Sequence, residues 1–311
     1  MKKTLSLLLC LILAVSPTLN QAQEQPITPT VAVSITPFYA LVAAVMQGIA
    51  TPHLLIKPGA SPHQYALKSS DIQHLKEADL IFWGGGQLET FLVKPLRIVL
   101  QKKTPPLIIE LAKTPDLLLL PLRSTPEWEP HTHDHPGGLD ADVDMHFWLD
   151  PQNGIILTNY IVLNLIKIDP NHAEQYQQNG EILTQRLKKL DADIQAKLKP
   201  IHSIPFVVFH DAYQYFERRY DLNAVGAITL HPELPPSAKR VKIIREAIIK
   251  SHAQCVFTEP QFEPKLVHNI VKDLNIRVDE LDPEGQAALA NPNGYFELLD
   301  NLSQHFQRCL S

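Results

Sequence analysis

Only three of the 311 residues are cysteines, and the net charge is no larger than −5. Lys and Arg nowhere form a patch interleaved with aromatics, which argues against phosphate-dominated nucleic-acid binding. No apolar run approaches the ~20 residues that a membrane-spanning helix requires. The chain has no H-E-x-x-H, the helical signature of one class of zinc hydrolases. Its GGGQ stretch at residues 84–87 lacks both the G-x-G-x-x-G continuation and the G-K-[ST] ending of phosphate-binding loops. It reads instead as a tight turn from strand to helix.

The cysteines gain meaning from the N-terminus. Residues 1–22 combine a basic start (MKK), an apolar stretch (LSLLLCLILAV) and a polar tail ending at Ala22, the layout of a signal peptide. Cys10 lies inside the apolar stretch, and Leu9 precedes it where lipid attachment would want a small residue. Cleavage near Ala22 removes Cys10, and an uncleaved anchor is the alternative. Cys255 and Cys309 are then left in an oxidising compartment, where a disulfide is expected over two buried free thiols. The Gram-negative periplasm fits all three observations.

With 45% hydrophobic and 20% charged residues, the mature chain is ordinary globular material, long enough for two domains. Strand and helix patterns alternate in two segments. The first runs VAVSI, FYALVAAVMQG, HLLIKPG, SSDIQHLKEA, DLIFW, QLETFLVKPLRIVL, PLIIEL. The second runs PFVVFH, DAYQYFERRY, AVGAI, SAKRVKIIREAIIK, CVFTEP, PKLVHNIVKDL, IRVDEL, with a final helix GYFELLDNLSQHFQRCL. Such alternation predicts two four-stranded parallel α/β lobes. Between them, Ile182, Leu183, Leu187, Leu190, Ile194 and Leu198 recur at helical steps, with Asp169 and Pro170 as a start and Pro200 as a stop. About 28 helical residues give a rod on the order of 40 Å, able to run along both lobes. The expected organisation is a signal peptide (1–22), an N-terminal lobe (23–145) with a His-rich loop (124–142), a connector containing the long helix (146–200), and a C-terminal lobe (201–311). Residues 113–145, rich in Pro, Gly, Asp and His and without periodicity, read as one mobile loop.

Two histidines fall where parallel α/β lobes gather ligands, outside the carboxyl ends of strands, and a third enters from the connector. His63 (PGASPHQYAL) and His210 (VVFHDAY) follow strands of the two lobes, and His146 (DMHFWLDP) follows the loop. Three imidazoles with an open or carboxylate position make a zinc coordination set. Asp282 (DELDPEG), at the end of the last strand, is the candidate carboxylate. Trp83, Phe91, Trp148 and Phe209 read as core and cleft lining, Lys239 and Arg240 as a solvated face. His53, His172 and His231 have no evident partners.

Taken together, ITPFYALVAAV, PGASPHQYAL, WGGGQLETFL, HFWLDP, FHDAYQYFE, FTEPQF, LDPEG and the terminal CL resemble the periplasmic metal-binding proteins of ABC importers for zinc and manganese, in their ZnuA-like zinc branch. The resemblance covers nearly the whole mature chain. It implies two α/β lobes joined by one long helix, Zn²⁺ held by His63, His146 and His210, and a Cys255–Cys309 pair. It further implies delivery to an inner-membrane zinc ABC permease, with a small periplasmic zinc chaperone as a further partner, no nucleic acid, and a monomeric receptor that is not an enzyme. Some zinc members carry a glutamate just before the first histidine. Here that residue is Pro62, so the fourth ligand is either Asp282 or water. Members also carry a His- and acid-rich loop, matched here by EWEPHTHDHPGGLDADVD. Its His131, His133, Asp134 and His135 would form an accessory, weaker site, because ordering entropy opposes tight binding in a mobile loop.

Competing readings are a manganese or iron receptor of the same fold, a zinc-dependent hydrolase, and an adhesin. The residue at position 210 separates the first, since a carboxylate there would favour the harder Mn²⁺.

Overall fold

The computed structural model describes residues 28–63, 65–128, 143–229, 232, 234–285 and 291–311. The N-terminal lobe is built on strands β1 (Val31–Val33), β2 (His53–Leu54), β3 (Leu80–Trp83) and β4 (Leu107–Glu110), all parallel, in the order β2-β1-β3-β4. β1 and β3 are buried throughout, as the unbroken apolar strings VAV and LIFW require in a sheet covered on both faces. Helices α1 (Thr36–Val45), α2 (Ser69–Glu77) and α3 (Thr90–Val99) complete the lobe. Every residue of α1 is buried, and the chain turns away at Gly48, where φ is +80°.

Two helices follow, where the sequence pattern marked only one. α4 (Pro151–Ile168) starts at Asp150, whose carboxylate accepts the Gln152 amide at 2.8 Å. α5 (Ala173–Leu198) is the expected long helix, 26 residues or about 39 Å. The two lie antiparallel: Gly180 fits against Val162, and Gln152 bonds Asp191 at 3.1 Å. His172 belongs to the reversal between them, its Nδ1 2.7 Å from the Asp169 carboxylate. α5 touches both lobes. Asn179 donates to the carbonyls of Val45 and Gln47 after α1, and Lys197 pairs with Asp300 at 2.6 Å.

The C-terminal lobe repeats the plan with β5 (Phe206–His210), α6 (Gln214–Tyr220), β6 (Ala224–Thr229), α7 (Ala238–Ser251), β7 (Cys255–Thr258), α8 (Lys265–Val271), β8 (Arg277–Glu280) and α9 (Gly294–Leu310), sheet order β6-β5-β7-β8, again parallel. The Cys255–Cys309 disulfide ties α9 to β7, with Cα atoms 6.0 Å apart. Each lobe keeps a small buried cluster of its own, but the main core is shared. One buried cluster runs from Val31 through α1, α4 and α5 to Leu310, with Phe38 against Phe147 and Trp148 at 5.5 Å in each case. Among the described residues, no helix is long and apolar enough to cross a membrane.

The flanks of residues 113–145 are not mobile loop; they form a strap laid across the C-terminal lobe. Leu118 exchanges hydrogen bonds with Asn153, the Leu120 amide donates to Tyr215 Oη at 2.9 Å, and Pro121 bridges Val143. Arg123 pairs with Asp211 and Glu217 and lies 3.3 Å over the Trp128 ring. Arg240 is also not on a solvated face. It is buried and donates to the carbonyls of Pro126, Glu127, Ala227 and Ile228, while Lys239 is exposed. Local composition could not reveal these anchors, because the decisive partners are distant in sequence: Leu118 and Asn153, Arg123 and Asp211, Arg240 and Pro126.

Candidate metal centre

His210 is the last residue of β5, carried to the sheet's carboxyl edge by the buried run FVVFH. His146 enters from the strap, just before the 3-10 turn Phe147–Leu149. His63 stands on a turn in the segment after β2, its amide 3.3 Å from Ser61 Oγ. The three rings meet. Their centroids are 5.1 Å apart for His146 and His210, 5.8 Å for His63 and His146, and 5.9 Å for His63 and His210. Each offers one ring nitrogen, and the three nitrogens lie within 4.8 Å of one another.

The closest pair sets the geometry. His146 Nε2 and His210 Nε2 are 3.3 Å apart, and two ligands at 2.0–2.1 Å from a tetrahedral ion are separated by about 3.3–3.4 Å. The other nitrogen of each ring faces a buried carboxylate: His146 Nδ1 is 2.8 Å from Asp144 Oδ1, and His210 Nδ1 is 2.7 Å from both Glu259 oxygens. A carboxylate only accepts, so each Nδ1 carries the proton and each Nε2 presents a lone pair. Two lone pairs facing each other at this distance repel unless a proton or a metal ion lies between them. The partners are themselves fixed. The His146 amide donates to Asp144 and the Tyr213 hydroxyl to Glu259, and Tyr215 holds the Asp144 carbonyl at 2.6 Å. Burial opposes charge on the His210 ring, but Glu259 outweighs it and raises the pKa above the ordinary imidazole value.

Asp282 is outside the group of mutually close donors. Its Oδ1 accepts from Gln261 Nε2 at 2.9 Å and from the amides of Glu284 and Gly285 at 3.1 and 3.0 Å, organising the turn after β8. The cleft holds further acids. Glu89 is fully buried beside the glycine turn, where Gly85 (φ +148°) donates its amide to the carboxylate at 3.0 Å; burial pushes Glu89 up to about 7. Glu284 is raised well above the usual range, first by burial and then by Asp282, Glu89 and Glu259. His131, His133, Asp134, His135 and His231 lie outside the described residues. Asp144 and Glu259, the carboxylates that hold two of the candidate ligands, were not singled out in the sequence. Asp144 stands two residues before His146 and was within reach of a local search; Glu259 lies in the FTEPQF stretch, but it is 49 residues from His210 and nothing in the sequence tied it to that ring.

A family model described as zinc-uptake complex component A, periplasmic, matches residues 31–309. The chain belongs to the ZnuA family. Two curated ZnuA-family relatives, both named high-affinity zinc uptake system protein ZnuA, are similar along almost their full lengths. That of Brucella suis is 38% identical over 308 residues, covering 90% of this chain and 91% of the relative. That of Yersinia pestis is 34% identical over 292 residues, with the same coverage of 90% and 91%. Among solved structures, a ZnuA crystal structure aligns with a TM-score of 0.76 at 21% identity, covering 92% of this chain and all of that one. The periplasmic zinc binding protein TroA of Treponema pallidum aligns with a TM-score of 0.75 at 20% identity, covering 91% and 99%. At these identities the two structures speak for the fold alone. In this ZnuA-family chain the residue before His63 is the buried Pro62, which offers no donor atom.

Proposed function

We propose that this chain is the periplasmic zinc receptor of an ABC importer, capturing Zn²⁺ on His63, His146 and His210 between its lobes and handing it to an inner-membrane permease. The observation that carries the reading is the pair of Nε2 atoms 3.3 Å apart, each ring fixed through Nδ1 on a buried carboxylate. A set of neutral imidazoles suits Zn²⁺ and disfavours the harder Mn²⁺. Asp282 or water completes the tetrahedron. His131, His133, Asp134 and His135 supply a weaker collecting site. The names of the curated relatives support a role in zinc uptake. On this reading the chain is exported by its signal peptide, acts as a monomer and catalyses nothing. Metal analysis of protein purified from its own periplasm tests the reading, with competition binding of Zn²⁺ against Mn²⁺. Bound zinc and a preference of orders of magnitude are expected; copurified manganese, or equal affinities, would overturn it. A panel of ester, amide and β-lactam substrates, run with and without zinc, is expected to show no turnover.

A further inference from the structure

Two more imidazoles meet outside this centre. His53 opens β2 and His74 lies within α2, and their rings stack with centroids 3.3 Å apart and planes at 24°. These two residues bracket one stretch of chain. After Leu54 it runs through residues 55–68, without helix or strand among those described, carries His63, and regains regular structure at Ser69. A second tie lies beside the stack. The Tyr65 hydroxyl donates to the Leu55 carbonyl at 3.3 Å and to Asp71 at 3.1 Å, and Asp71 also accepts the Lys68 amide at 2.8 Å.

We propose that His53 and His74 are positioning residues for His63: their stacked rings clasp the two ends of the segment that carries it, and positive charge on the stack opens the clasp. The inference rests on His63 being a metal ligand. Neutral imidazole faces pack well, whereas two imidazolium rings at this separation repel. The surroundings set which protonation state the stack prefers. Burial disfavours charge on His53, His74 and Lys57 oppose it, and Asp71 alone favours it, so its pKa is lowered. Its neighbour across the sheet is the uncharged Ala32. On α2, Asp71 precedes His74 by one turn, and Lys76 and Glu77 follow it; Lys102, beyond α3, reaches the Lys76 carbonyl. A lowered folded pKa means the clasp holds above the ordinary value of about 6.5 and is lost as pH falls through the folded value. In acid, therefore, His63 is presented less firmly, and zinc affinity drops further than protonation of the three ligands alone would take it.

The test uses the mature full-length protein and two variants. His53→Phe/His74→Phe keeps a ring stack that cannot titrate, and His74→Lys places a permanent charge against His53. Hydrogen-exchange protection of residues 55–68 is measured without metal at pH 7.5 and 5.5, and zinc affinity by competition at the same pH values. Wild type should lose protection at pH 5.5 and the double variant should keep it, with a shallower loss of zinc affinity. His74→Lys should already be unprotected at pH 7.5, with zinc affinity about tenfold weaker. Equal loss of protection in wild type and double variant, or wild-type protection in His74→Lys, would overturn the clasp. If the Phe pair fails to fold, His53→Gln/His74→Gln takes its place. Expected exchange behaviour in a wild type that binds no zinc would leave the clasp standing and overturn the receptor reading instead.

Discussion

His210 is constrained twice, because β5 fixes its backbone and Glu259 fixes its ring. Replacing it with glutamate exchanges a nitrogen donor for a hard oxygen and adds a negative charge. His210→Glu should weaken zinc binding and narrow the Zn/Mn preference, while His210→Ala should weaken both metals. Competition titrations of both variants check this, and unchanged zinc affinity in either would remove His210 from the ligand set. Proton competition follows from the same contacts. Glu259 raises the His210 pKa, so the metal-free imidazolium persists above the ordinary 6.5 and its ion-pair stability is lost only as pH rises through the raised value. Zinc must displace that proton, and affinity should already be falling as pH drops towards neutrality. NMR titration of the His210 ring, alongside affinities between pH 8 and 5.5, measures both; a ring that titrates below 6.5 would contradict the raised value.

Helices differed in how openly their sequences announced them. α5 has one face in solvent and one on the core, so its leucines keep helical spacing and the rod is readable. α4 buries Asn153, Thr158 and Asn164 together with its aliphatics, and its string QNGIILTNYIVLNLIKI carries no clean stripe. The anchors between elements were hidden for a different reason, since a buried arginine looks like a surface arginine until its partners are known. Arg240→Ala would strip four backbone carbonyls of their donor and should cost about 3 kcal/mol in urea unfolding. Lysine, with a single ammonium in place of the planar fork, should restore little of it. Glu89 gives the opposite sign. Its folded pKa of about 7 favours the protonated carboxyl, so its stability is present in acid and lost as pH rises through 7. Glu89→Gln should match wild type at pH 4 and exceed it by up to roughly 3 kcal/mol at pH 8, and equal stability at pH 8 would mean the site tolerates the charge.

For the whole molecule, the lobes and their parallel sheets were legible from the alternation of elements, His63 and His210 from their positions after strands, His146 from its place at the end of the loop, and the cysteine pair from the signal peptide that removes Cys10. The charge partners of the histidines were not, since Glu259 reaches His210 only once β5 and β7 lie side by side. The strap also redraws the boundary of the His-rich loop. Pro126 and Glu127 are held by Arg240, and Trp128 lies under Arg123, so an excision that spares the fold begins at residue 129. Removing residues 129–140 should leave one tight zinc site and abolish only the weaker binding, as calorimetric titration would register. Losing the tight site while retaining weak binding would mean that the principal ligands lie in the loop.

Asp144 and Glu259, behind His146 and His210, also set the electroneutrality of the cleft. Imidazoles bring no charge of their own, so with water as the fourth ligand the two positive charges of a zinc ion held as proposed would be balanced by two buried anions one ring further out. Removing the ion alone would expose both carboxylates to each other in a medium that screens poorly. On the proposed function, unloading would therefore be an exchange and not a simple departure: positive charge would have to arrive as zinc leaves, as protons on the two imidazoles or as basic side chains of the proposed permease.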